Sequence, residues 1–339
     1  MPFRFITFCL LAGFLSIPKA AAETASLGLI LPLSGPSAYM GQSVVGVMKL
    51  ANPGNYQPVF EDDRCEGKAA LTAYLKLRER GIRVFYVGCS GSLLAVAPHA
   101  KRNGDLILTT LAASLKIRET GDEVIRLNPD ALSVADKMLG MITAELRPVA
   151  ILHEEQEYCD SLANRLAQLL GPALVEKISY RPDAASFASE ILKIKQRKVK
   201  SLILIPLADG AARTILRQIA QHRLESALIG DVNLCDFPFK PSDFGLHGKC
   251  AAARFSGRNY EKFIADYTTL MGHPPAYPFY DAMALDLFER LEQIAATPLS
   301  VPLVKSGLLQ GFKGRFSSYS FTPEGEAAGA GEYMNIVDY

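Results

Sequence analysis

The chain has almost no surplus of charge: 36 lysines and arginines stand against 35 aspartates and glutamates, a formal net charge of +1. That balance excludes the basic face of a nucleic-acid-binding protein and the polybasic patch of a membrane anchor. Long apolar runs are missing after the N-terminal segment, so no later stretch is suited to span a bilayer. Histidine is scarce, with five scattered residues, and no Cys-x-x-Cys occurs, which argues against a metal site. No Gly-x-x-x-x-Gly-Lys-Ser/Thr phosphate loop is present, and Gly329-Ala330-Gly331 follows no βαβ context. His153-Glu154 lacks the second histidine of a zinc-protease helix. Gly88-Cys89-Ser90-Gly91-Ser92 comes near the nucleophile-elbow pattern but ends in serine where that pattern needs glycine. No cofactor and no catalytic machinery are expected.

The first residues have the make-up of an export signal: Arg4, an apolar stretch from Phe5 to Leu15, and Ala20-Ala21-Ala22 ahead of Glu23. That stretch is short of the roughly 20 residues a membrane span needs. Residues 1–22 are therefore expected to be removed, leaving a soluble exported protein; a buried N-terminal helix is the alternative. Without them the chain of 339 residues still exceeds the ~250–300 that one core usually organises, so two domains are expected. Cys65, Cys89, Cys159, Cys235 and Cys250 remain after the signal, an odd number. Cys65 follows one predicted strand and Cys89 ends the next, which brings them within reach of a disulfide. Cys235–Cys250 is a second, weaker pairing with Cys159 left over, and five buried free thiols are the alternative.

Short apolar runs alternate with amphipathic segments, as in βα units. Strands are predicted over 27–33, 58–61, 84–88, 106–109, 149–153, 174–178, 201–205 and 227–230. Stripes such as Ala69, Ala70, Ala73, Tyr74 and Leu77, or Leu162, Leu166, Leu169 and Leu170, mark helices between them. A long helix over 131–145 divides four strands from four, which suggests two doubly wound parallel sheets. With no low-complexity linker, the chain should cross between domains several times through short hinges. Helices over 259–271, 280–295 and 301–309, a hairpin over 311–321 and a closing strand over 332–337 complete the reading.

Two small, hydroxyl-rich loops stand out. Val84-Phe85-Tyr86-Val87 ends in Gly88–Ser92, and Leu106-Ile107-Leu108 ends in Thr109-Thr110-Leu111-Ala112-Ala113-Ser114. As neighbouring parallel strands they place both loops at the carboxyl edge, where open α/β sheets bind ligands. Small side chains admit a ligand to backbone N–H groups, and a helix N-terminus favours an anion there. This suggests a place to hold a carboxylate.

These residues, with Leu29-Ile30-Leu31-Pro32-Leu33-Ser34-Gly35-Pro36, Glu61-Asp62-Asp63-Arg64-Cys65, Ala150-Ile151-Leu152-His153, Glu157-Tyr158, Ile215-Leu216-Arg217-Gln218 and Tyr280-Asp281-Ala282, occur in an order that resembles type I periplasmic solute-binding proteins, specifically the branched-chain amino-acid branch. The resemblance implies an α/β fold of two lobes joined by three hinge crossovers, with the ligand in the cleft between them. The first lobe would take 23–127 and 254–317, the second 128–253 and 318–339. It implies a monomer in the periplasm that delivers a small carboxylate-bearing solute to an inner-membrane ABC permease, and a disulfide matching Cys65–Cys89. Carried over by position, Ser90 and Ser114 match hydroxyls on the ligand carboxylate, the Ala112 carbonyl matches an ammonium acceptor, and Tyr158 matches an aromatic that packs on the ligand after closure. Asp231 is nearest to the acidic ammonium partner. Pro206-Leu207-Ala208 departs from the family's tyrosine, and Tyr39 and Met40 compete for an aromatic position over the ligand.

Each residue also has a plainer role. Ser90, Ser92 and Ser114 suit helix capping, Asp231 a turn, Tyr158 a helix-start surface position, and Tyr277 and Tyr280 packing. Two other functions compete: a periplasmic sensing module of the same fold, and a serine hydrolase using Ser90.

Overall fold

The computed structural model describes residues 25–295 and 299–339. The export signal expected over residues 1–22 lies outside the described residues. Strands β1 (Ser26–Leu31), β2 (Gln57–Asp62), β3 (Val84–Val87), β4 (Leu106–Thr109) and β5 (Val124–Arg126) form a parallel sheet in the order β2-β1-β3-β4-β5. Helices α1 (Ala38–Ala51), α2 (Gly67–Glu79) and α3 (Ser90–Asn103) connect them. Alternation along β1 sends Leu27, Leu29 and Leu31 to the face covered by α1, and Ile30 to the face covered by α2 and α3. Both faces are buried, which is why these strands read as unbroken apolar runs.

The second sheet contains β6 (Val149–Glu154), β7 (Leu174–Tyr180), β8 (Ser201–Ile205), β9 (Ala227–Gly230) and β10 (Gly248–Ala253). It is served by α4 (Ala131–Leu139), α5 (Glu157–Leu170), α6 (Ala188–Gln196), α7 (Asp209–Gln221) and α8 (Val232–Asp236). Helices α9 (Arg258–Met271), α10 (Pro278–Ile294) and α11 (Val301–Leu309) and the hairpin β11 (Phe312–Lys313) and β12 (Ser318–Tyr319) follow. Helices α9 and α10 pack on α1 of the first lobe. The last strand, β13 (Met334–Asp338), returns antiparallel beside β10, giving the order β13-β10-β9-β8-β6-β7. The chain thus passes between lobes three times: over 127–130, over 254–257, and between β12 and β13. No helix among the described residues is long and apolar enough to cross a membrane.

Eight predicted strands form, within a few residues of their expected ends. Two more, β5 and β10, were not expected, so with the expected closing strand β13 the sheets hold five and six strands rather than four and five. The expected long helix over 131–145 stops at Leu139, where Gly140 caps it. Cys65–Cys89 and Cys235–Cys250 are disulfides with Cα–Cα distances of 5.4 and 5.7 Å, and Cys159 is buried and unpaired.

Strand order reverses between β1 and β3 in one sheet and between β6 and β8 in the other. Connections leave toward opposite sides at such switch points, and a crevice opens at the carboxyl ends of the strands. The two crevices face each other.

Candidate functional site

Ser90 is the first residue of α3, just past the end of β3. Its Oγ accepts hydrogen bonds from the backbone N–H of Ala113 at 3.0 Å and of Ser114 at 3.2 Å, so the two small loops lie side by side. A serine hydroxyl has two acceptor lone pairs and one donor. Both lone pairs are engaged, and what Ser90 has left to offer is its O–H. The preceding Cys89 gives α3 no side-chain cap, so the first N–H groups of that helix, at Ser90 and Gly91, stay available.

A cavity opens beside them, with an empty volume of about 550 Å³ that includes space open to solvent. The first lobe contributes Met40, the Cys65–Cys89 disulfide, Ser90, Gly91 and Leu111. From the second come Glu157 and Tyr158 at the start of α5, Leu207 after β8, and Val232 and Asn233 at the start of α8. Tyr277 and Tyr280, at the start of α10, close a side. The Tyr158 hydroxyl is buried without a hydrogen-bond partner, and that of Tyr280 finds none among the described residues. Burial is the main cause pushing both phenols above their ordinary range, so both remain protonated donors.

The lobes touch on both flanks of the cavity. On one, Glu157 accepts from Ser114 Oγ and from Lys116 Nζ, each at 3.0 Å, and the Leu115 N–H donates to Ser161 Oγ at 3.0 Å. Glu157 and Ser161 stand one helical turn apart, so both face the same loop. On the other, the Tyr39 hydroxyl donates to the Leu207 carbonyl and lies 2.6 Å from Tyr277 Oη. The Tyr277 hydroxyl in turn donates to Asn233 Oδ1 at 2.7 Å. Tyr39 therefore serves the lobe contact while Met40 meets the cavity.

Of the expected ligand residues, Ser90 and Tyr158 stand on the cavity wall. Ser114 sits just behind Ser90, with its hydroxyl turned to Glu157. The Ala112 carbonyl accepts from Asn128 Nδ2 at 3.3 Å. Asp231 is recessed behind Val232 and Asn233, where Oδ1 caps α8 through the Leu234 N–H and Oδ2 accepts from Asn233 Nδ2 at 2.7 Å. Tyr277 and Tyr280, read as packing residues, line the cavity; their spacing of three at a helix start puts them on one face, and that was the available signal. Nothing in the sequence singled out Asn233 or Val232. Among the described residues no histidine lines the cavity beside Ser90, and His153 Nδ1 lies 3.2 Å from Asp160 Oδ1 on the β6–α5 side.

Burial pushes the Asp231 carboxyl up to about 7, against its hydrogen bonds from the Leu234 N–H and the Asn233 amide. Burial likewise raises Asp281 to about 7, although it accepts from Ser43 Oγ at 2.6 Å and the Tyr277 N–H at 3.0 Å. Both then hold a proton in the folded state between about pH 4 and 7 that the unfolded chain has released. Stability should therefore rise as pH falls from 8 toward 5, by up to ~1.4 kcal/mol per pH unit for each group. Urea unfolding across that range checks this, and Asp231→Asn should flatten the slope. A slope of opposite sign would refute it.

The whole fold is shared with solved structures. A solute-binding protein from Rhodopseudomonas palustris BisB5, in complex with 3,4-dihydroxybenzoic acid, is 17% identical with a TM-score of 0.77, covering 93% of this chain and 92% of that one. A leucine-binding protein from Thermotoga maritima is 17% identical with a TM-score of 0.77, covering 93% and 94%. Another solute-binding protein from R. palustris, in complex with benzoate, is 16% identical with a TM-score of 0.76, covering 90% and 91%. At such identities the likeness is one of fold. No curated protein sequence matches the chain. The sequence pattern of the periplasmic binding proteins does match, over residues 24–229 and thus more than half of the chain: this protein belongs to the periplasmic binding protein family.

Proposed function

We propose that this protein is the solute receptor of an ABC importer, which captures a small carboxylate-bearing solute by closing two lobes and presents it to an inner-membrane permease. Export through residues 1–22, residence in the periplasm and action as a monomer belong to the same reading. It names an amino acid or a related amide or organic acid as the ligand class, and no chemistry on it. One observation carries the proposal: Ser90, Tyr158 and Tyr280, whose hydroxyls have no protein acceptor among the described residues, line one cavity between the lobes from separate elements. Unpartnered buried donors are costly unless something accepts from them. A carboxylate does so, with the positive end of α3 beside it. The lobe contacts at Glu157 and Tyr39 supply the closed state whose population a ligand raises. The leucine-binding and benzoate-binding relatives in fold support a small solute as the ligand.

A thermal-shift screen of amino acids, amides and small organic acids should identify binders, since a ligand that binds only the folded form raises the melting temperature. For a binder so found, Ser90→Ala should weaken affinity by about 1–3 kcal/mol in calorimetry. Undiminished affinity in that variant would remove Ser90 from the site.

A further inference from the structure

We infer that the cavity selects a monocarboxylate without an α-ammonium group. The inference rests on the reading of the cleft as a carboxylate site and concerns what that site refuses. An α-amino acid brings a carboxylate that needs donors and an ammonium that needs acceptors. The donors are there and free. The charged acceptors are present, but each of their oxygens already holds a protein donor.

Among the described residues Glu157 is the one carboxylate on the wall. Its Oε1 accepts from Ser114 and its Oε2 from Lys116, both across the cleft. Closing the lobes thus spends this acidic side chain on the protein's own donors. The Ala112 carbonyl, placed to receive an ammonium, takes the Asn128 amide. Asp231 is fully buried off the wall, with one oxygen on the Leu234 N–H and the other on the Asn233 amide. Asn233 itself spends its oxygen on Tyr277 and both amide hydrogens on Asp231 and the Pro206 carbonyl. Gln156 remains as a neutral amide on the wall, able to donate or accept. An ammonium entering here would lose its hydration and find on the wall only a carboxylate whose charge is already shared with Lys116 and Ser114, which is a ground for rejection. The rest of the wall, Met40, Leu111, Leu207 and Val232 with the tyrosine rings, suits an apolar body of aliphatic or aromatic character.

Matched pairs test this on the full exported chain: 4-methylpentanoate against leucine, and 3-phenylpropanoate against phenylalanine, by calorimetry. The acid of at least one pair should bind ten-fold or more tightly than its amino counterpart. Lys116→Met, a change at an exposed side chain off the cavity wall, frees one oxygen of Glu157 and should narrow that preference at least three-fold by improving amino-acid binding. Parity, or a preference for the amino acid, overturns the inference and leaves capture in the cleft standing. An unchanged preference in the Lys116 variant overturns the part given to Glu157. If none of the four compounds binds, the inference falls together with the carboxylate reading beneath it.

Discussion

Replacing Glu326 by alanine should lower the unfolding free energy by about 3–5 kcal/mol, because it leaves a buried guanidinium without its partner. Arg126 ends β5 and is fully buried. Its Nε and Nη2 both donate to Glu326 Oε2, at 2.8 and 2.6 Å, and its Nη1 donates to the Ser114 carbonyl at 3.0 Å. Backbone bonds from Arg126 N to the Gly325 carbonyl and from Ala327 N to the Arg126 carbonyl, each 2.9 Å, run alongside. The pair therefore staples the first crossing between lobes to the third, directly beneath the loop that carries Ser114. Asp130 lies 3.7 Å from Arg126 but is also held by Arg118, so it compensates only in part. Glu326→Gln keeps an acceptor and loses the charge, and should fall between the parent and the alanine variant. Urea unfolding with an unchanged m-value and a lower midpoint is the expected record. A loss below about 1 kcal/mol would mean that Asp130 carries the charge of Arg126 alone.

The same crossings mark where sequence reasoning stopped. Strands such as Leu106–Thr109 and Ser201–Ile205 were legible because a sheet buried on both faces demands an apolar run. Gly248–Ala253 carries none of that signal: Gly-Lys-Cys-Ala-Ala-Ala holds no β-branched or aromatic residue. It is a strand because β9 and β13 flank it, and the small side chains suit a position where an added Cβ at Gly248 would strike the Leu228 carbonyl. Val124–Arg126 is too short to show alternation, and its arginine reads as surface until Glu326, two hundred residues on, is brought against it.

At the cavity, one expected residue from each lobe, Ser90 and Tyr158, stands on the wall, while Ala112, Ser114 and Asp231 stand off it. The loop at Ser90 announces itself by small residues at a strand end, a purely local pattern. Tyr277 and Tyr280 carry the same pattern as any core aromatic at a helix start, and only the relative placement of two lobes decides that they face a cavity. Asp231 shows the converse: a turn aspartate before a helix has one signature whether it caps that helix or meets an ammonium, and here it caps. Polar groups are chosen as ligands by what the rest of the protein leaves unsatisfied, and that accounting needs every partner in view.

Removing the Cys65–Cys89 disulfide by paired serine substitution should cost about 3 kcal/mol of stability, the chain-entropy value for a closure of this length. The cysteines are 24 residues apart in sequence, and both line the cavity. Arg64 and Cys65 have φ of 52° and 62°, in the left-handed region that neither residue prefers, so the turn before the bridge is held against its own inclination. Asp62 Oδ1 accepts from the Arg64 N–H and Asp63 Oδ1 from the Cys65 N–H, at 3.0 and 2.9 Å, which supplies part of that hold. The bridge supplies the rest and fixes Cys89, whose neighbour Ser90 opens α3. The Cys235–Cys250 bridge, between residues 15 apart, closes a shorter loop, and its paired serine substitution should cost nearly as much, because the entropy grows only with the logarithm of length. Loss of stability in either paired variant, read by urea unfolding, should come with weaker binding of whatever ligand the screen identifies, since Cys235 anchors the turn bearing Val232 and Asn233 while Cys89 anchors Ser90. If the Cys65/Cys89 variant lost less than about 1 kcal/mol, Asp62 and Asp63 would be holding the strained turn by themselves, and the bridge would owe nothing to loop closure.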